Sequence, residues 1–387
     1  MQSPFPLEPQ VLFWSDPSPM KPALLTLHCI TAAFVAACTN DPGSEPASAG
    51  PNEEQQSLFS KVPSSHSGIT FQNTIEETPT LNYLNYNNLF SGGGLAVGDL
   101  NNDDLPDLYF TGNQVPDRLY INKGGLKFED VTDKAIGTGR DGWHRGATIV
   151  DVNADGWNDI YVCRHGWQTD PALRTNLLYI NDHDGTFTES ASQWGLADTS
   201  HSTHATFFDF DRDNDLDVYI LNQPPERAAD RKPYTVEQVR NIIKSGKAET
   251  SRLLRNEGER FVDVTREAGI TSFAFTLGAV IIDADNNGWP DLYVANDYGE
   301  PDCLYINDGK GHFTNEVKQR TGHVSNFGMG VDAADVNNDG AVDIAVLDMA
   351  YKSMVRSKEN MGAMRPDKFW AFIDAGYHYQ YMINTLQ

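Results

Sequence analysis

Asp151-Val-Asn-Ala-Asp-Gly-Trp-Asn-Asp159 is one of five copies of an acidic loop. The others are Asp99-Leu-Asn-Asn-Asp-Asp-Leu-Pro-Asp107, Asp209-Phe-Asp-Arg-Asp-Asn-Asp-Leu-Asp217, Asp283-Ala-Asp-Asn-Asn-Gly-Trp-Pro-Asp291 and Asp335-Val-Asn-Asn-Asp-Gly-Ala-Val-Asp343. Their first residues stand 52, 58, 74 and 52 positions apart. A period near fifty with β-type flanks means a propeller or a solenoid. Glycine precedes the loop by five residues in four copies (Gly94, Gly146, Gly278, Gly330), and alternating runs such as Leu108-Tyr-Phe110 and Leu292-Tyr-Val294 follow it. Such flanks are strands joined by a tight loop. Each of the first four repeats continues with a variant of Leu-Tyr-Ile-Asn, at 119–122, 178–181, 254–256 and 304–307, then a turn and a Phe-led strand such as Phe128-Glu-Asp-Val-Thr132. Four strands per repeat make one blade, so the fold class is all-β, a β-propeller of four-stranded blades with five repeats visible.

At the amino-terminal edge, Phe59-Ser-Lys-Val62 followed by Gly68-Ile69 matches the last strand of a repeat without the three before it. It is expected to complete a last blade. At the other edge Asn384-Thr-Leu-Gln387 stops inside the third-strand motif of the fifth repeat, so the chain is expected to be an amino-terminal fragment of a seven-bladed or larger ring.

The loop chemistry points to calcium. That ion takes six to eight hard oxygen ligands in a forgiving geometry, and alternate positions of a tight turn can all point inward. Positions 1, 3, 5 and 9 would give side chains and position 7 its carbonyl. The sets are Asp99, Asn101, Asp103, Leu105 and Asp107; Asp151, Asn153, Asp155, Trp157 and Asp159; Asp209, Asp211, Asp213, Asp215 and Asp217. The fourth and fifth sets are Asp283, Asp285, Asn287, Trp289 and Asp291, and Asp335, Asn337, Asp339, Ala341 and Asp343. Position 6 is Gly, Asp or Asn, which tolerate a left-handed turn. An EF-hand would need Glu at position 12, where the chain has Phe110, Val162, Ile220, Val294 and Val346. About five structural Ca2+ ions are expected, each pinning an inner hairpin.

At these residues the chain resembles the FG-GAP-like, calcium-binding propeller proteins whose repeats are also catalogued as VCBS repeats. It is most similar to their bacterial branch related to cartilage acidic protein. The resemblance covers roughly 58–387. Members of that branch often carry a small carboxyl-terminal domain of the ASPIC/UnbV type, which nothing here matches.

Composition narrows the function. With 54 acidic and 29 basic side chains, the net charge of −25 repels phosphate backbones, which argues against nucleic acid as a partner. Five divalent ions would bring it to about −15. Apolar residues at 40% supply a core and argue against disorder. Residues 23–37 are uncharged and follow Met20 and Lys21, the order of a secretory signal, with translation expected to start at Met20. The run Val35-Ala-Ala-Cys38 resembles a bacterial lipobox, which implies lipidation of Cys38. The expected organisation is a signal region over 1–37, a lipidated cysteine and flexible tether over 38–57, and the propeller over 58–387. The expected location is the bacterial outer membrane or cell surface, with membrane contact only through the anchor. Cys163 and Cys303 fall in apolar runs two repeats apart and are expected as separate buried thiols.

Two insertions add chemistry. Residues 222–252 hold a helix-like stretch, Thr235 to Lys247, with Arg227, Arg231, Lys232, Arg240, Lys244, Lys247 and Arg252. Residues 349–381 combine Lys352, Arg356, Lys358 and Arg365 with Phe369, Trp370, Tyr377, Tyr379 and Tyr381, which suits sugar or peptide contacts or packing between blades. The adopted reading is a binding or adhesion module for an extracellular protein or glycan, without catalysis. Its alternatives are a calcium-dependent propeller enzyme on polysaccharide, of lyase or dehydratase type, and a purely structural surface scaffold. The enzyme would have to use His144, Arg145, His165, His201 and His204.

Overall fold

The computed structural model describes residues 59–387 except 138–140, 225–236, 239–240, 242–244, 246–250, 299, 351–352, 354, 357–365 and 375. The expected signal, Cys38 and the tether lie outside the described residues, as does most of the basic insertion of the third repeat. The chain divides into Met1–Lys61 and Val62–Gln387, and every element below belongs to the second unit.

Four antiparallel sheets of four strands follow one another along the chain. The first joins β1 (Leu95–Gly98), β2 (Asp107–Phe110), β3 (Arg118–Asn122) and β4 (Phe128–Asp130). The second holds β5 (Trp143–Val150), β6 (Asp159–His165), β7 (Leu177–Asn181) and β8 (Phe187–Glu189). The third holds β9 (His201–Phe208), β10 (Asp217–Gln223), β11 (Arg252–Asn256) and β12 (Phe261–Asp263). In the fourth are β13 (Phe275–Ile282), β14 (Asp291–Asp297), β15 (Cys303–Asn307) and β16 (Phe313–Asn315). After β17 (Val324–Ser325), the fifth sheet has β18 (Gly328–Ala334), β19 (Asp343–Asp348) and, beyond β20 (Gln380–Tyr381), a short third strand β21 (Thr385–Leu386). Strand β20 runs parallel to β17, so the 349–381 insertion returns against its own blade. These are blades of a β-propeller, with the five acidic loops joining the first and second strands of each. Among the described residues no helix is long and apolar enough to cross a membrane.

The sequence alternation explains the packing. Each second strand reads Asp-x-Tyr-x in the first four blades, and Tyr109, Tyr161, Tyr219 and Tyr293 are all fully buried. Apolar side chains of successive blades meet in four clusters. Tyr109 and Leu119 face Ile160 and Val162; Tyr161 and Cys163 face Val218 and Ile220; Tyr219 and Leu221 face Leu292 and Val294; Tyr293 and Ala295 face Ile344 and Val346. Cys163 and Cys303 are separate buried thiols, as expected.

Inner strands β5, β9, β13 and β18 share a feature that the spacing did not disclose. Each loses register with its partner near its start, at His144/Ala147, opposite Leu221/Asn222, at Thr276/Gly278 and at Gly328/Gly330. An extra residue there bends and twists the strand. At this bend in β5 the next inner strand passes against Gly146: a Cβ there would come within 2.5 Å of His204 Nδ1 and 2.6 Å of the Thr203 carbonyl. Beyond the bend, polar side chains reach the preceding blade. His144 Nδ1 lies 2.7 Å from Asp117, Asn176 donates to Ser202 Oγ at 2.9 Å, and Ser251 bonds Thr276 at 3.2 Å.

One expectation is corrected. Phe59–Val62 is not a strand: no neighbouring strand pairs with it among the described residues, and both Phe59 and Val62 are exposed. The short helix Ser64–Ser67 follows instead. Its capping glycine nonetheless docks where a repeat end should. A Cβ on Gly68 would stand 2.6 Å from the Phe128 carbonyl, matching Gly195 at Phe261 (2.6 Å) and Gly269 at Phe313 (2.8 Å).

Candidate metal centres

Every acidic loop is wound by its own carboxylates. The position 1 aspartate accepts the backbone N–H of position 5 on one oxygen and of position 6 on the other: Asp99 from Asp103 and Asp104, Asp151 from Asp155 and Gly156, Asp209 from Asp213 and Asn214. Asp283 takes Asn287 and Gly288, and Asp335 takes Asp339 and Gly340. Position 5 in turn accepts the N–H of position 7, which fixes the peptides of Leu105, Trp157, Asp215, Trp289 and Ala341. Position 6 is left-handed in every copy, as its residue types suggest. Position 4 is left-handed too, at Asn102, Ala154, Arg212, Asn286 and Asn338.

Position 9 anchors the loop to the blade. One oxygen of Asp107, Asp159, Asp217, Asp291 and Asp343 accepts the N–H of position 2. In the first four blades the other oxygen accepts the N–H of the asparagine that ends the third strand: Asn122, Asn181, Asn256 or Asn307. Those asparagines were visible in the sequence as the end of the Leu-Tyr-Ile-Asn motif, but not their work. Three of them also reach the preceding loop. Asn181 donates to the Leu100 carbonyl at 2.9 Å, Asn256 to Val152 at 3.3 Å and Asn307 to Phe210 at 2.9 Å.

The electrostatics fit a divalent cation. In the third loop one oxygen each from Asp209, Asp211 and Asp217 lies within 4.8 Å of the others, and in the fourth the same holds for Asp283, Asp285 and Asp291. Oxygens Oδ1 of Asp211 and Asp215 are buried without a hydrogen-bond partner. Burial pushes Asp217 up to about 7 against its two backbone hydrogen bonds, with Asp211 and Asp215 adding repulsion. Asp159 is likewise raised by burial to about 7. Asp215 rises to about 6 through burial and then the repulsion of Asp213. Hard, mutually repelling oxygens with unfilled lone pairs form a donor set of the kind calcium takes. In the first, second and fifth loops position 3 is Asn101, Asn153 or Asn337, so fewer carboxylates converge there. The amides of Asn101 and Asn153 donate to Asp103 and Asp155.

His144, His165 and His201 of the second and third repeats lie at the other end of the blades, whereas His183 sits at the second acidic loop, with Nε2 3.0 Å from Asp155. The rings of His165 and His201 meet edge-on at 5.1 Å, while Tyr86 Oη and Gln223 Oε1 lie 2.9 and 3.2 Å from the His165 nitrogens. Burial, then Arg145 and His201, hold His165 well below the usual imidazole range. His144, Arg145, His165 and His201 are all buried. His204 lies against Gly146 of the neighbouring inner strand.

A family model described as FG-GAP-like repeat matches residues 99–162, 166–220 and 283–346. All five acidic loops fall inside these spans, and the matches support the FG-GAP repeat family. No curated protein matches the chain. Among solved structures, a lectin from Agrocybe aegerita that recognises non-reducing terminal N-acetylglucosamine is 16% identical, with a TM-score of 0.37 over 65% of this chain and 59% of the lectin. A fructofuranosidase from Schwanniomyces occidentalis is 9% identical, with a TM-score of 0.35 over 66% of this chain and 52% of the enzyme. The chain therefore spans between half and three fifths of the length of these structures.

Proposed function

We propose that this chain of FG-GAP-like repeats is an exported, calcium-stabilised β-propeller that acts as a binding module for an extracellular glycan or protein. The observation that carries the calcium reading is the third loop, where three carboxylate oxygens, from Asp209, Asp211 and Asp217, share a 4.8 Å space and Oδ1 of Asp211 and of Asp215 are buried without hydrogen-bond partners. Asp209, Asp211 and Asp217 would hold the ion there, and the equivalent residues would do so in the other four loops. The ion supplies positive charge to a hairpin whose carboxylates otherwise repel. Residues of the chain do the rest: position 1 winds the turn and position 9 fastens it to the third strand. Export and anchoring rest on the apolar run 23–37 and on Cys38 after Val35-Ala-Ala.

Magnitude makes the ions matter. With dissociation constants of ~0.1 mM and extracellular calcium of ~1 mM, each site adds roughly 1.4 kcal/mol, and five add about 7. That rivals the net stability of a typical domain. Thermal unfolding with calcium and then with excess chelator, beside an elemental metal count, tests the reading. A large fall in midpoint and about five ions per chain are expected; an unchanged midpoint and no bound metal would refute it.

A further inference from the structure

The first and second acidic loops are joined by two hydrogen bonds that run in opposite directions. From the left-handed position 4 of the first loop, Asn102 Nδ2 donates to the Gly156 carbonyl at 3.1 Å. From position 8 of the second, Asn158 Nδ2 donates to the Asp99 carbonyl at 2.7 Å. Each bond lands on a peptide that also serves a carboxylate of the receiving loop's metal set. The peptide that begins with the Gly156 carbonyl ends in the Trp157 N–H, which donates to Asp155 Oδ1 at 2.9 Å. The peptide that begins with the Asp99 carbonyl ends in the Leu100 N–H, which donates to Asp107 Oδ2 at 2.9 Å. A side chain of one loop therefore steadies, through a single planar unit, a carboxylate that would hold metal in the other. The other boundaries lack this reciprocal pair. Position 8 is Pro106, Leu216, Pro290 or Val342 in the remaining loops, none of which has a side-chain donor. Towards the third loop the position 4 arm is missing as well, since Ala154 stands there.

We infer that the first and second loops take up their metal ions as a cooperative pair, each filled loop raising the affinity of the other through Asn102 and Asn158, an inference that rests on the calcium reading and adds its regulation. A loop closed on metal fixes its own backbone, and with it the side chain that crosses to its neighbour. The neighbour's peptide is then ordered in advance, so less conformational entropy remains to be lost when that loop fills. Hydrogen bonds in series also strengthen one another, so the Trp157 and Leu100 N–H groups hold Asp155 and Asp107 more firmly when their carbonyls are engaged. By linkage the coupling is the same whichever loop fills first.

Equilibrium dialysis of the full chain against buffered Ca2+, with an elemental count, tests the pairing. Asp155→Asn weakens the second loop; if the loops are independent, every other ion stays at its native calcium level. The pairing requires that one further ion, that of the first loop, move to about fivefold higher calcium or more. Asp103→Asn in the first loop is expected to shift the second by the same factor. Adding Asn102→Ala and Asn158→Ala to either variant should abolish its shift, because these two changes leave every proposed ligand in place. Alanine already stands at position 4 of the second loop, and circular dichroism at millimolar calcium checks that the variants fold. An Asp155→Asn chain whose other ions are unmoved would overturn the pairing and leave the calcium reading intact, as would a shift that persists without Asn102 and Asn158. A native chain with no bound metal would instead overturn the calcium reading, and the pairing with it.

Discussion

Ala154 and Arg212 occupy the left-handed position 4 of their loops, at φ of 55° and 61°, where the other three copies have asparagine. A side chain with a Cβ and no local hydrogen bond to offer is costly there, whereas asparagine visits that region readily. Ala154→Asn is expected to raise stability by about 0.5–1 kcal/mol in denaturant unfolding, and a lower midpoint would contradict the argument. At Arg212 the same change should gain less, because the guanidinium sits 4.9 Å from the centre of the Trp289 ring. Position 6 announced its conformation in the sequence through Gly, Asp and Asn. Position 4 did not, since alanine and arginine hide the pattern in two of five copies. A second residue-scale test concerns Asp302, fully buried between the fourth and fifth blades, where it accepts Tyr293 Oη at 2.8 Å and the Asn296 N–H at 2.8 Å. Burial raises it from 3.8 to about 7, with Asp348 adding repulsion. The folded protein thus holds more protons than the unfolded chain between those values, so this group's contribution falls as pH rises through that window and is constant above it. Asp302→Asn removes the ionisation. Relative to the native chain it should gain on the order of 2–4 kcal/mol between acid and mildly alkaline pH. A difference that does not change with pH would refute this.

At the scale of elements, the third-strand asparagines separate two contributions. Asn181 bonds both the Asn158 carbonyl of its own loop, at 3.0 Å, and Leu100 of the preceding one, whereas Asn122 bonds Pro106 of its own loop. Asn181→Ala is expected to cost about 2–3 kcal/mol and Asn122→Ala about 1 kcal/mol less, measured as unfolding midpoints at fixed calcium. Equal losses would mean that the bond between blades contributes nothing. Strands, hairpins and loops were legible because each repeat carries its own alternation and turn residues. Partners across a blade boundary were not, because Asn181 and Leu100 are 81 positions apart and nothing local pairs them. Phe59–Val62 fails as a strand for a related reason: alternation specifies a face, but a strand also needs a neighbour. Gly68 was a sounder signal than the residues before it, since its left-handed cap and its contact with Phe128 are properties of that residue itself.

Across Val62–Gln387, each boundary between the first four blades is a sandwich of three layers. An apolar middle is closed at one end by the asparagine bonds to the preceding loop and at the other by the pairs beyond the bend. The acidic face follows from the same plan, since the loops all emerge at one end and concentrate the aspartates that give the chain its charge of −25. The chain also repeats one backbone with similar side chains, and such proteins risk docking a blade onto the wrong neighbour while they fold. Apolar contact alone discriminates poorly between similar walls. The pairs beyond the bend differ at every boundary, Asp117 with His144, Asn176 with Ser202 and Ser251 with Thr276. A skipped blade would set Asp117 against Ser202, or Asn176 against Thr276, and would leave His144 buried without its carboxylate. The bend in the inner strand thereby works as a lock with a separate key for each neighbour, and it records the order of the repeats in the folded molecule.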